Sequence, residues 1–334
     1  MENTNDTTSP AETAATVSGK EVAWEREIIE KMLTATLKEQ RAKRRWGIFF
    51  KFLAVAVVII LFGVARTVDF SSDEGAPVEG SHAALIKISG VISSETRASA
   101  EKITKSLQKA FSEKNVTGII LRINSPGGSP VQAGRIHDEI IRLRQLYPGK
   151  PVHVVVEEVC ASGGYYIAAA AENVYVDKAS IVGSIGVLVN GFGFTGLMEK
   201  VGIERRLMTS GKNKAFMDPF SPQNEQQKQY VQSLIDEVHQ QFIAVVKNGR
   251  GNRLKSDDDI FSGLVWTGTK AIELGLADGL GTVNSVARDV IKTQTIVDYT
   301  EEEKLSDRVL KKLGASMGEG AARYSSQELL PALK

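Results

Sequence analysis

The chain has 334 residues, 42% of them apolar, enough to bury one large core or two modest ones. Its 41 Lys and Arg against 40 Asp and Glu leave a net charge of +1, with both signs spread along the whole length, which gives no broad cationic face for nucleic acid. The single cysteine, Cys160, excludes an internal disulfide or a multi-cysteine metal site, and His82, His137, His153 and His239 lack zinc-motif spacing, so neither a metal nor a cofactor is expected.

In chain order, residues 1–45 read as a cytoplasmic segment. Residues 1–20, rich in Thr, Ala, Asn and Ser, have the composition of disorder, and Trp24, Ile28 and Met32 then recur at the spacing of a short amphipathic helix. Arg41, Lys43, Arg44 and Arg45 precede an apolar block, residues 46–65, interrupted only by Lys51. A helix of twenty residues measures about 30 Å, enough to cross a bilayer core. Lys51 lies one turn inside the block, close enough to the edge to snorkel its ammonium to the headgroups. The basic cluster on the N-terminal side predicts a single-pass anchor in the inner membrane, with the amino terminus cytoplasmic and the larger part of the chain exported. Gly63-Val64-Ala65 offers a signal-cleavage alternative, but the 45 preceding residues are long for a signal's leading region.

Residues 66–82 form a polar linker with Gly and Pro, and the folded domain is expected over 83–297. There "ALIKISGVI" reads as a strand, "RASAEKITKSLQKAFSE" as a helix burying Ile103, Leu107, Ala110 and Phe111, and "VTGIILRIN" as an apolar strand. After the loop "NSPGGS" come a helix carrying Ile136, Ile140 and Leu143, the strand "PVHVVVEEV", a helix of small residues and the strand "VYV". Strands separated by helices predict an α/β fold with a mainly parallel sheet. A long helix is expected from about Gln223 to Lys247, with an apolar stripe of Val231, Leu234, Val238, Phe242 and Val245. Residues 298–334 read as a C-terminal helix and a mobile tail.

In an alternating α/β sheet, reactive groups gather where strands end and helices begin, because helix N-termini carry free N–H groups there. Two junctions have that form: "RINSPGGSP", and "VCASGGYY", which sets Ser162 between an alanine and two glycines. A plain turn explains an isolated Gly-Gly, and a helix cap explains an isolated serine. Together, the two loops suit a serine approached by a substrate backbone, with amides from separate loops forming an oxyanion hole. A nucleophilic serine needs a base. His137, His153 and His239 fall within regular elements as packing or surface residues, whereas "TSGKNKAFMDPF" sets Lys212 and Lys214 among Phe216, Met217 and Phe220, and apolar surroundings favour a neutral amine. Ser106 and Lys109 match a Ser-x-x-Lys spacing, but they lie in a charged amphipathic helix and are expected at its surface.

In this order, "INSPGGSP", "ASGGYYIA", "VGSIGV", "SGKNKAFMDPF" and "WTGTKAIELGLADGLG" resemble the signal peptide peptidase, or protease IV, family over about Ala83 to Val290. The resemblance implies a membrane-anchored serine peptidase with a Clp protease/crotonase-like fold of repeated β-β-α units. It implies Ser162 as nucleophile, Lys214 rather than Lys212 as general base, the amides of Gly128 and Gly163 as oxyanion donors, and Ser184 as a residue orienting the lysine. The substrates implied are hydrophobic peptides such as cleaved signal peptides. A single unit carrying both dyad residues resembles the short form of the family, which implies a homo-oligomeric ring whose lysine can come from the adjacent subunit. Cys160, two residues before Ser162, reads as a small buried apolar residue. Two alternatives stay open: a crotonase-type acyl-CoA hydratase or isomerase, and a non-catalytic membrane scaffold.

Overall fold

The computed structural model describes residues 30–32, 34, 38, 40–41, 43–60, 62–63 and 80–301. Residues 1–29, most of the linker and residues 302–334 lie outside the described residues, and with them the expected disorder, most of the amphipathic helix and the C-terminal helix and tail. The span expected over 46–65 lies partly outside as well: 46–60 and 62–63 are helical, while 61 and 64–65 are not described. Among the described residues no helix is long and apolar enough to cross a membrane.

The sheet domain begins with β1 (His82–Ser89), α1 (Ala100–Ser112), β2 (Val116–Ser125), α2 (Pro130–Leu146), β3 (Val152–Ala161), α3 (Gly163–Ala168), β4 (Asn173–Val176) and β5 (Ile181–Gly183). It continues with α4 (Thr195–Lys200), α5 (Glu225–Arg250), β6 (Val265–Thr267), α6 (Gly268–Glu273), β7 (Gly279–Leu280), the helical turns of residues 283–291, and β8 (Ile296–Asp298). The sheet order is β6-β5-β3-β2-β1-β8, with β4 paired to β3 and β7. Every pairing is parallel except β5 with β6. The expected mainly parallel α/β architecture is therefore present.

Successive strand side chains face opposite sides of a sheet, and both sides are buried here. Ala84, Ile86 and Ile88 join the larger core under the helices, while Ala83 and Leu85 join Ile120, Val155, Val286 and Ala287 on the other face. This explains why the strands read as near-continuous apolar runs rather than alternating ones. The expected inner faces of α1 and α2 are buried at Ile103, Leu107, Ala110, Phe111, Ile136, Ile140 and Leu143.

Strand β3 is where the sheet forks. Ile123 pairs with Val156 and Ser125 with Cys160, so β3 carries extra residues in a bulge that leaves Glu157 and Glu158 exposed. Before the bulge β3 pairs with β4, and beyond it with β5. The bulge thus turns the C-terminal end of β3, the end that leads into Ser162, toward a different neighbour.

Three expectations need correction. In α5 only Phe242, Val246 and Arg250 are buried, and Leu234 is 40% exposed, because only the last turns reach the core, where Phe242 packs on Tyr166 at 5.1 Å. The domain does not stop at 297. Strand β8 pairs with β1, Tyr299 donates its amide to Leu85 O at 2.8 Å, and its hydroxyl lies 2.9 Å from His82 Nε2. Ser106 is not at the surface: it is 1% exposed, its Oγ donating to Lys102 O and accepting from the Glu301 amide. A buried hydroxyl spent on two backbone groups is a structural tie.

Candidate active site

The strands β2 and β3 end side by side, which brings the two predicted loops together. Ser162 is the N-cap of α3 and has φ 51° and ψ −122°, a left-handed conformation that a side-chain-bearing residue adopts at a cost. Its amide donates to Gly183 O at 2.8 Å and its carbonyl accepts from Tyr166 N at 2.9 Å. The hydroxyl makes no capping bond, so the simple explanation of Ser162 as a helix cap does not hold.

Gly127 and Gly128 lie against this turn, and both need to be glycine. At Gly127 (φ +99°) a Cβ would lie 2.7 Å from Gly163 N and from Ser162 Cβ. At Gly128 (φ +148°) it would collide with the Ile92 carbonyl oxygen. The turn is held from its other side, Ile92 N donating to Gly127 O and Ser129 N to Ile92 O, each at 2.8 Å. Buried Ser125, to which its motif alone assigns no role, donates its Oγ to Gly90 O at 2.6 Å and accepts the Gly127 amide at 3.1 Å. Neither the Gly128 nor the Gly163 amide donates a hydrogen bond among the described residues. The two are close, since a Cβ built on Gly163 would lie 3.3 Å from Gly128 N. Two unspent N–H groups beside a free hydroxyl are the elements of an oxyanion site.

Ser184 follows Gly183, whose carbonyl holds the Ser162 amide, and it too has a left-handed φ of 51°. Its amide donates to Leu264 O at 2.7 Å. Two flanking residues brace this turn, His239, read from the sequence as a packing or surface residue, and Trp266. His239 Nε2 lies 3.1 Å from Ile185 O, and the Trp266 indole packs against Gly183, where a Cβ would sit 3.0 Å from the ring. The Trp266 Nε1 is buried without a hydrogen-bond partner. Helical position alone gave no signal for the His239 contact, because it depends on where α5 docks.

Lys214 and Lys212 are both exposed in a run of tight turns, with the Lys214 amide donating to Gly211 O at 3.0 Å. Within the single chain no hydrogen bond joins Lys214 to Ser162 or Ser184 among the described residues. A cleft of about 540 Å³ opens between α4 and this loop, lined by Met198, Ile203, Arg205, Leu207 and Phe220 among others, and Ser162 is not part of it. Cys160 is fully buried, and burial pushes its thiol well up, so it offers no thiolate beside Ser162. His137 stays 3.0 Å from its neighbour Asp138, and His153 is buried in β3, where desolvation pushes it below the usual imidazole range. Among the described residues no group of His, Cys, Asp and Glu side chains converges to hold a metal ion.

Residues 144–296 match the model of peptidase family S49. A Brucella abortus protein named as a Na(+)/H(+) antiporter is 42% identical over 213 residues, 64% of this chain and 29% of its own length. A putative protease of Methanocaldococcus jannaschii is 32% identical over 62% of this chain and 68% of its own. A putative signal peptide peptidase of Enterococcus faecium is 28% identical over 74% of this chain and 73% of its own. The chain belongs to peptidase family S49, together with signal peptide peptidase and protease 4 relatives. It spans under a third of the Brucella relatives it matches.

Proposed function

We propose that the chain is a serine endopeptidase with a Ser-Lys dyad that hydrolyses hydrophobic peptides such as cleaved signal peptides. The observation that carries this reading is the left-handed, uncapped Ser162 set against the Gly127-Gly128 turn, with the Gly128 and Gly163 amides unspent. In the mechanism, Ser162 Oγ attacks the scissile carbonyl carbon and its proton passes to Lys214 Nζ. The carbonyl oxygen becomes an oxyanion held by the two glycine amides, each donor lowering the barrier by about 3 kcal/mol. Collapse expels the amine, which takes the proton back from Lys214. Water, deprotonated by the same amine, then cleaves the acyl-enzyme ester and restores the serine. Ser184, on the turn beside Ser162, orients the lysine.

The parallel sheet with its forked third strand is consistent with the Clp protease/crotonase-like fold. We propose further that the active unit is a homo-oligomeric ring. Lys214 is exposed and unbonded to Ser162 within one chain, and Leu188, Phe192, Leu197, Ile203 and Met208 stand 59–95% exposed, apolar surface that a neighbouring copy would cover. The apolar block at 46–65 behind Arg41–Arg45 supports a single-pass anchor with the peptidase domain on the exported side, where spent signal peptides remain.

The test is hydrolysis of a fluorogenic hydrophobic peptide across pH. The amine works only unprotonated, so the rate should climb with pH, and Lys214→Ala should abolish both rate and climb. An undiminished, unchanged profile in Lys214→Ala would remove the lysine from the mechanism.

A further inference from the structure

The loop from Gly211 to Ser221 advances by consecutive turns: Lys214 N to Gly211 O, Phe216 N to Asn213 O, Asp218 N to Ala215 O and Ser221 N to Asp218 O, at 3.0–3.3 Å. No helix or strand fixes its course, and Met217 sits at φ 61°, a conformation that must be held by neighbours. The holding is concentrated on one carboxylate. Asp218 is only 12% exposed; its Oδ2 accepts from Ser221 Oγ at 2.6 Å and its Oδ1 from the Arg205 guanidinium at 3.2 Å. Arg205 lies over the Phe220 ring at 5.6 Å, and Phe220 stacks on Phe194 at 5.5 Å, whose amide donates to Pro219 O at 2.7 Å. The Ser221 hydroxyl, against an opposing effect of burial second only to it and with help from the Phe220 amide and Arg205, holds the Asp218 carboxyl below its usual range. It stays ionised through the working pH range of a serine peptidase.

We propose that Asp218 is a positioning residue for the general base: its clasp with Ser221 and Arg205 sets the loop so that Lys214, four residues earlier, presents its amine to Ser162. This rests on the reading of Lys214 as base. Asp218 touches neither substrate nor the reacting atoms, and its effect passes entirely through the backbone course between residues 214 and 218.

The test uses the full chain and the fluorogenic hydrophobic peptide. Asp218→Ala should lower kcat about ten- to a hundredfold with KM within about twofold, since misplacing a catalytic group by about 1 Å costs up to about 100-fold. Asp218→Asn, which keeps an acceptor for Ser221 and Arg205, should recover most of the rate. Ser221→Ala, which removes a single bond, should fall between, and it serves should Asp218→Ala fail to fold. In Lys214→Ala, the rate restored by added ethylamine should be the same whether or not Asp218→Ala is combined with it, because a diffusing amine needs no loop. Unchanged kcat in Asp218→Ala, or an amine-restored rate that drops as much as the native one, overturns the proposal. A fully active Lys214→Ala would instead sink the assignment of the base, whatever Asp218 does.

Discussion

Replacing Arg250 with Met should destabilise the domain more than any surface change. Arg250 is 1% exposed; its Nε donates to Gly275 O at 2.8 Å and its two terminal nitrogens grip the Asp278 carboxylate at 2.9 Å. The substitution keeps the volume but strands a carboxylate that is itself only 11% exposed. Removing one partner of a buried pair costs about 3–5 kcal/mol. Asp278 keeps Arg253 at 3.2 Å and the Val174 amide at 2.7 Å, so the lower end, about 3 kcal/mol, applies. In a domain of this size that lowers the melting temperature by about 6–12 °C. The loss has a pH signature. Burial alone would raise the Asp278 carboxyl, but the Arg250 bond, the Val174 amide and the two arginine charges outweigh it and hold it low. A depressed carboxyl contributes stability above its unfolded pKa and loses that contribution as pH falls through the folded one. The gap between wild type and Arg250→Met, read by urea unfolding, should therefore hold from pH 7 down to about pH 4, near the unfolded value of an aspartate, and shrink as pH falls below it. A loss under about 1 kcal/mol, or a gap that does not change with pH, would refute the reasoning. The consequence reaches the site, because Leu276, two residues before Asp278, accepts the hydroxyl of Tyr165 at 2.7 Å, and Tyr165 lies three residues after Ser162.

Gly128→Ala would meet the Ile92 carbonyl and a φ of +148°, so kcat/KM should fall about 100-fold or more with secondary structure retained; wild-type activity would show that the turn is not held as described. Cys160 should resist iodoacetamide in the native chain at pH 8 and react once urea unfolds it, and prompt native alkylation would contradict its burial. Ser106→Ala should cost about 1 kcal/mol in urea unfolding by releasing the Glu301 amide, while leaving peptide hydrolysis intact. A loss of hydrolysis there would return the Ser-x-x-Lys spacing to consideration.

The strands, the first two helices and the pairing of the glycine loops were legible because apolar periodicity and turn residues are local signals, and β1, β2 and β3 bury both faces as their sequence suggests. What escaped depends on long-range contact. Nothing local marks Ile296–Asp298 as a strand, since its pairing with β1 supplies the hydrogen bonds. The α5 stripe is a genuine helical pattern, but which of its turns bury a partner is decided by docking, and only the last ones do so in this chain. Within the candidate site, the meeting of the Ser162 loop with the Gly127-Gly128 turn is what their small-residue surroundings suggest. The contacts of Ser125, His239 and Trp266 could not be read in the same way, because they act on backbone carbonyls and strand ends that only the folded sheet brings near.

The most direct measurement is peptide mapping after treatment with a fluorophosphonate. The adduct should fall on Ser162, vanish in Ser162→Ala and form far more slowly in Lys214→Ala. An adduct on a different serine, or peptide hydrolysis that survives Ser162→Ala, would contradict the account.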